Sequence, residues 1–273
     1  MIRAMWSAAS GMQAQQTNMD VISNNLANVN TTAYKYSRAS FQDLLYANMR
    51  PAGSETAQTG TQVPAGIQLG HGVKTVGVSK EFTQGSLVPT AGGPFDVNLS
   101  INGQGFFQIE KPDGALAYTR DGSFTIDKDG NMVTADGYKL KGGESVKPAG
   151  DSSIIGVTIA PSGGNVYQMK SGVPTPSQTG TIELANFTNP TGLTSIGNNL
   201  YLESVASGPP IIGKPDDNNN GMGSLKQATL EQSNVNMVTE MVNMISTQRA
   251  YEVGTKSIQT VDAMLGLVAE LKR

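Results

Sequence analysis

An apolar residue returns at every seventh position near the start of the chain, at Met5, Met12, Met19 and Leu26, and Ala8, Ile22 and Val29 follow members of that series by three. Seven residues is close to two helical turns, so this row keeps to one side of a helix. Only Gln15 interrupts the second row. The same spacing returns at the other end in Met237, Met244, Tyr251, Ile258 and Leu265, with Met241, Val261 and Val268 beside them. A single stripe of this kind is normally a helix packing on its own domain. Two matching stripes at opposite ends of one chain predict long amphipathic helices that pair with each other or with helices of neighbouring copies. Met is frequent in both, and its flexible thioether suits surfaces that adapt to more than one neighbour.

Between the stripes the pattern turns β. In "GFFQIEKPDGALAYTRDGSFTIDKDGNMVTADGYKL" four Asp-Gly pairs, Asp113-Gly114, Asp121-Gly122, Asp129-Gly130 and Asp136-Gly137, separate short runs of β-branched and aromatic residues. Asp-Gly readily takes the positive φ of tight hairpins, so a meander of strands about five residues long is predicted. "IIGVTIA" (Ile154 to Ala160) and "GTIELANF" (Gly180 to Phe187) extend it. The fold class expected is α+β, with N- and C-terminal helices forming a coiled-coil-like core domain and an inserted all-β domain made of short hairpins. The boundaries expected are 1–50 for the first helix and linker, 51–94 for an extended Gly-rich hairpin or connector, 95–207 for the β domain, 208–227 for a turn-rich linker and 228–273 for the second helix.

Composition removes several function classes. Lys plus Arg number 19 and Asp plus Glu 22, so the net charge is -3, and no basic stripe tracks a phosphate backbone; nucleic acid is not an expected partner. There is no Cys, which excludes disulfides and thiolate metal sites. Met1 to Ser10 lacks the apolar core of a secretory signal, and no run of 18 apolar residues occurs, so if the protein leaves the cytoplasm another machine is expected to export it.

The search for chemistry finds little. His71, the only His, sits between glycines in "LGHGV" and has no second His or Cys with which to hold zinc. "DKDGN" (Asp127 to Asn131) begins like a calcium loop, but Tyr138 stands where the acidic twelfth ligand belongs and Gly comes fourth rather than sixth, so a hairpin turn is predicted. "NGQGFF" carries only Gly103 and Gly105 of a dinucleotide fingerprint. The Asp216 to Asn220 run is a cation candidate or a turn, and the turn is preferred. A glycosidase would need paired carboxylates, for which Asp113, Asp121, Asp127 and Asp129 are the nearest set, all in apparent turns. No cofactor is expected.

Three amides remain, Asn24, Asn25 and Asn28, crowded among apolar residues at helical spacing. Short amides cap a helix end, bond to neighbouring backbone, or stay wet against a channel without adding charge. The alternative is an ordinary capped end where periodicity stops at "NVNTTAYK".

Three segments, "SGMQAQQTNMDVISNNLANVNTTAYK", "NGQGFFQI...YTRDGSFTIDKDGNMVTADGYKL" and "SNVNMVTEMVNMISTQRAYEVGTKSIQTVDAMLG", together resemble the flagellar rod and hook family of axial proteins. Within that family the short linker "FQDLLYANMRPAGSETAQTGTQVPAGIQLGHGV" resembles rod members more than hook members. The resemblance implies a non-enzymatic subunit, exported unfolded through the flagellar type III apparatus, that polymerises with itself into a helical tube. It also implies contacts with proximal rod and hook proteins and with the surrounding outer-membrane and peptidoglycan ring proteins, in a rod that spans the periplasm. The assembly interface would then comprise Met5, Met12, Met19, Ile22, Leu26, Val29 and the three amides at one end. At the other it would comprise Met237, Met241, Met244, Tyr251, Ile258, Val261, Leu265 and Val268. Lone helices are marginal in water, so these ends are expected to order on assembly.

Overall fold

A computed structural model describes residues 2–53, 64–91, 93, 95–144, 146, 154–171, 176–217 and 220–271. The chain divides into two compact units, each made of segments distant in sequence. The first joins Met1–Ala27, Ser37–Ser79 and Asn236–Arg273; the second joins Asn28–Tyr36 and Lys80–Val235.

Two helices dominate the first unit, α1 (Ile2–Ala27) and α2 (Met237–Leu271). Asn236 starts α2: its Oδ1 accepts the backbone N–H groups of Val238 and Thr239 at 3.1 and 3.2 Å, satisfying donors that the first turn leaves unpaired. Glu240 lies in that first turn, where a carboxylate suits the positive end of the helix dipole. Neither helix is long and apolar enough to cross a membrane. The same unit holds two pairs of strands, Ser37–Asp43 with Val73–Lys80, and Tyr46–Arg50 antiparallel to Ile67–Gly70 with a bulge between Asn48 and Arg50. Residues 54–63 of the expected Gly-rich connector lie outside the described residues.

The second unit is built of β-strands, with one short 3-10 turn at Pro190–Gly192 among the described residues. Its main sheet runs in the order Thr194–Gly197, Leu200–Leu202, Leu116–Thr119, Phe106–Glu110, Lys139–Leu140, Met132–Val133 and Thr125–Ile126. Strand Leu184–Asn186 branches from Phe106–Glu110 and pairs in turn with Ile211–Gly213. Phe106 and Phe107 point to opposite faces, as neighbours on a strand must. Phe107 joins Leu99, Ile101, Ile109, Met132, Leu140, Leu184 and Leu225 in the larger core, edge-on to Phe124 at 5.2 Å. Phe106 joins Tyr118, Phe187 and Tyr201 in the smaller one, edge-on to Phe187 at 5.7 Å. Full burial of each such side chain contributes about 1.5–3 kcal/mol.

Three of the four Asp-Gly pairs make the expected hairpins, with Gly114, Gly130 and Gly137 at φ of 76°, 80° and 82°. Asp121-Gly122 does not. Leu99 donates its N–H to the Gly122 carbonyl, and a Cβ on Gly122 would run into the Leu99 carbonyl, so Gly is needed there for close backbone approach. The strands of the meander are also shorter than expected, only two residues each at Thr125–Ile126, Met132–Val133 and Lys139–Leu140, because closely spaced turns consume the chain between them. Strands Ser224–Gln227 and Thr229–Glu231 pair with Leu99–Asn102 and Leu87–Pro89. Late segments thereby complete sheets begun before residue 103.

Candidate assembly surfaces on the terminal helices

Three contacts define how α1 and α2 meet. Asn25 donates its Nδ2 to Glu240 Oε2 at 3.2 Å, and Asn18 donates its Nδ2 to Thr247 Oγ1 at 3.2 Å. Near Gly254 the Met12 side chain lies so close that a Cβ added there would stand 2.7 Å from Met12 Cγ. Moving from Asn25 to Met12 on α1 corresponds to moving from Glu240 to Gly254 on α2, so the helices run antiparallel. The α2 residues at the seam, Glu240, Thr247 and Gly254, recur every seven and are polar or small. They are the positions three residues after Met237, Met244 and Tyr251.

Asn25 has no exposed surface, and its amide bonds in two directions. Its Oδ1 accepts the Ser37 N–H at 2.9 Å, while its Nδ2 donates to the Ser37 carbonyl at 2.8 Å and to Glu240. Asn243 Nδ2 supplies the other Glu240 oxygen at 3.0 Å. One amide thus joins both helices and the first strand of this unit. Buried polar groups cost free energy unless paired, so the network favours this one register over its neighbours.

The remaining predicted residues divide by exposure. Ile22 and Val261 are buried. Met5, Met12, Met19, Leu26, Met244, Ile258 and Leu265 are half-buried, as is Val29 in the turn after α1, whereas Met237, Met241, Tyr251 and Val268 are exposed. Asn24 is exposed, and Asn28 accepts the Thr31 hydroxyl at 3.1 Å in the turn that ends the helical run. The three amides therefore have three different environments. On the side of α2 away from the seam Val238, Val242, Ile245, Val253 and Leu267 are all more than half exposed, at 70, 60, 58, 64 and 61 %.

Sequence reasoning missed Glu240, hidden as a first-turn acid, and a second buried cluster in the β unit. There Lys35 and Glu231, 0 and 1 % exposed, form an ion pair at 2.6 Å. Lys35 Nζ also donates to the Thr83 carbonyl at 2.7 Å, and Glu231 Oε1 accepts the Gly85 N–H at 2.8 Å. Arg120 lies with Nη1 3.7 Å from Glu231 Oε2 and its guanidinium 5.4 Å from the Phe106 ring centre. Burial pushes the Lys35 ammonium below its ordinary value, and Glu231 opposes that shift. Nothing in the sequence connects Lys35 to Glu231 except that each interrupts an apolar or Thr-rich run.

The chemical candidates fare differently. Asp121 is occupied structurally: Oδ1 accepts the Ser123 N–H and hydroxyl, and Oδ2 accepts the Asn199 amide. Asp127 and Asp129 are exposed in their hairpin turn, and Asp113 in its own. His71 is an exposed loop residue whose Nδ1 lies 2.8 Å from the Leu45 carbonyl. Among the described residues no group of three or more His, Cys, Asp or Glu could hold a metal ion.

Antiparallel terminal helices with a specific polar seam, apolar residues on their outer side and a β unit from the middle of the chain define a class of structural subunit. Three family models match it: "Flagella basal body rod protein" over residues 5–35, "Flagellar hook protein FlgE/F/G D1 domain" over 100–172, and "Flagellar basal body rod FlgEFG protein C-terminal" over 226–271. The flagellar basal-body rod protein FlgG of Buchnera aphidicola subsp. Schizaphis graminum is 45% identical over 99% of this chain and all of its own. FlgG of Borreliella burgdorferi is 44% identical over the full length of both. The flagellar hook protein FlgE of Helicobacter mustelae is 42% identical, but over 52% of this chain and 31% of its own. The chain belongs to the flagellar basal-body rod protein family. It is a structural, non-enzymatic subunit of the flagellar basal body, of the distal rod type, and its family builds the rod and hook.

Proposed function

We propose that this chain polymerises with itself into a helical tube, in which the terminal helices form the inner core and the β unit the outer wall. The observation that carries this reading is the outer side of α2, where Val238, Val242, Ile245, Val253 and Leu267 remain uncovered in the single chain. Apolar area of this extent favours association, and a surface that meets a different surface of the next copy builds an open helix when the rotation between copies does not close a ring.

In this reading the two helices of each chain meet along the seam as they order on assembly, and neighbours cover the outer apolar side. The tube would cross the periplasm, transmit torque, and provide the channel for later export substrates. Its partners would be proximal rod and hook proteins at its ends, the outer-membrane and peptidoglycan ring proteins around it, and the type III export apparatus that delivers it without a cleaved signal. Coiled-coil packing of the ends and their ordering on assembly belong to the same proposal. So does a straightening role for residues 51–94, where deletion of 50–63, most of it outside the described residues, should give curved tubes.

Electron microscopy of the purified protein tests the central claim. Wild type should form tubes, and Met19→Glu should not, while keeping the β signal in circular dichroism, because burying an unpaired carboxylate in an apolar contact is costly. Tubes of normal length and abundance from the variant would refute it.

A further inference from the structure

Lys80 is a half-buried cation of the β unit whose charge has no partner among the described residues. Its Nζ stands 5.2 Å from the ring centres of both Tyr34 and Tyr201, held between two aromatic faces. It has neither a hydrogen bond nor an ion pair among the described residues. Around it opens a pocket lined by Asn28, Ser195, Asn198 and Asn199 together with the two tyrosines. The Asn198-Asn199 wall is a tight turn with φ of 53° and 57°, closing the hairpin of Thr194–Gly197 and Leu200–Leu202, so its position is fixed by the sheet.

The lining chemistry selects the ligand. An ammonium offers three donors and no acceptor, and the Ser195 hydroxyl and the Asn198 amide beside it add further donors. A carboxylate, with two oxygens able to accept several bonds, fits this set, and charge-assisted bonds are about twice as strong as neutral ones. Burial lowers the proton affinity of Lys80, and no acidic neighbour counters that effect. An incoming carboxylate would supply the missing charge.

The same chain carries a suitable group elsewhere. The turn between strands Thr125–Ile126 and Met132–Val133 exposes Asp127 and Asp129. Asp127 Oδ1 accepts the Lys128 N–H at 2.7 Å, and the Gly130 N–H donates to the Asp127 carbonyl at 2.9 Å, so the carboxylates project from a rigid tip. A knob and a pocket at different places on one chain make a head-to-tail contact, which passes from copy to copy. We propose that the Lys80 pocket receives the Asp127–Gly130 turn of a second copy of this chain. This rests on the self-assembly proposed above and adds a polar, outer contact to the apolar inner one.

Charge exchange in the full chain tests it. Lys80→Glu, and separately Asp127→Lys with Asp129→Lys, should each raise the critical concentration for polymerisation about tenfold, and combining them should restore most of it. Either exchange leaving the critical concentration unchanged, or a combination no better than the worse parent, would overturn the contact. Tyrosine fluorescence of the monomer gives an independent reading, since Tyr34 and Tyr201 flank the site. A synthetic peptide of residues 126–131 should saturate the signal where acetate at equal concentration does not, and Lys80→Gln, with its thermal melt intact, should abolish the response. No saturation, or equal saturation by acetate, would overturn docking of the turn. A wild type that never polymerises would sink the self-assembly reading instead, and the peptide titration would still decide the pocket.

Discussion

The helix pair and the β unit bury themselves to different degrees. The β unit encloses two aromatic-rich clusters on the faces of one sheet, with Phe106, Phe107, Leu99, Ile101 and Leu184 all at most 1 % exposed. The helix pair spends its closest contacts on Asn25, Asn18, Glu240, Thr247 and Gly254, and leaves large apolar residues outside. Hydrophobic burial is non-directional and supplies stability, whereas a buried amide or carboxylate contributes register. One part of the molecule therefore carries its own enclosed core, and the other is arranged for association with its alignment already chosen.

The most severe way to break this contrast is to cut the β unit. A fragment of residues 95–207 removes strands Ser224–Gln227 and Thr229–Glu231, and with them Leu225 from the core and the Glu231 carboxylate from beside the buried Arg120. It should lose its cooperative thermal transition, while a fragment of residues 28–235, which retains Lys35 beside Glu231, should keep one. A cooperative melt of the shorter fragment at the same temperature would show that the late strands are dispensable.

Next in size is Glu231→Gln in the full chain, which leaves Lys35 and Arg120 as buried charges without their counter-charge. Breaking a buried pair costs about 3–5 kcal/mol, to be read as a drop in the urea midpoint of the β unit. Smaller again is Asn25→Leu. It strips partners from the Ser37 backbone and from Glu240, and each buried polar group left unpaired costs about 1–3 kcal/mol. This loss should fall on the helical signal and spare the β transition.

Gly266 sharpens the contrast in the other direction. Nothing lies within 4 Å of a Cβ added there, so Gly266→Ala should stabilise α2 by up to about 1 kcal/mol through backbone entropy. Gly254→Ala, pressed against Met12, should gain less.

The smallest effect is alkaline. Burial, with a contribution from Tyr34, pushes the Tyr201 phenol well above its ordinary value of 10. The unfolded chain then gives up this proton near pH 10 while the folded chain holds it. Stability should fall as pH rises through 10, and Tyr201→Phe should flatten part of that fall in thermal melts taken from pH 8 to 11.

Features legible before any coordinates were local ones. The seven-residue rows predicted α1 and α2, and Asp-Gly at 113, 129 and 136 predicted hairpins, because a few consecutive residues set the backbone in each case. The rows did not single out the contacts within the chain: Met12 of the first row lies against Gly254, while Glu240 and Thr247 meet Asn25 and Asn18, none of them apolar. Apolar periodicity finds a helix face about a third of the circumference wide, and it does not choose the residues within that face that touch.

By itself, then, the sequence determined the two terminal helices, the β middle and the family. Only the tertiary structure decided that Asn25 meets Glu240, that Lys35 meets Glu231, and that Lys80 rests between Tyr34 and Tyr201 with no ion partner among the described residues. The first two contacts span 215 and 196 residues of chain. At such separations no local preference brings a donor to its acceptor; the surrounding packing must do so, and the low dielectric it creates makes each pairing matter once it forms.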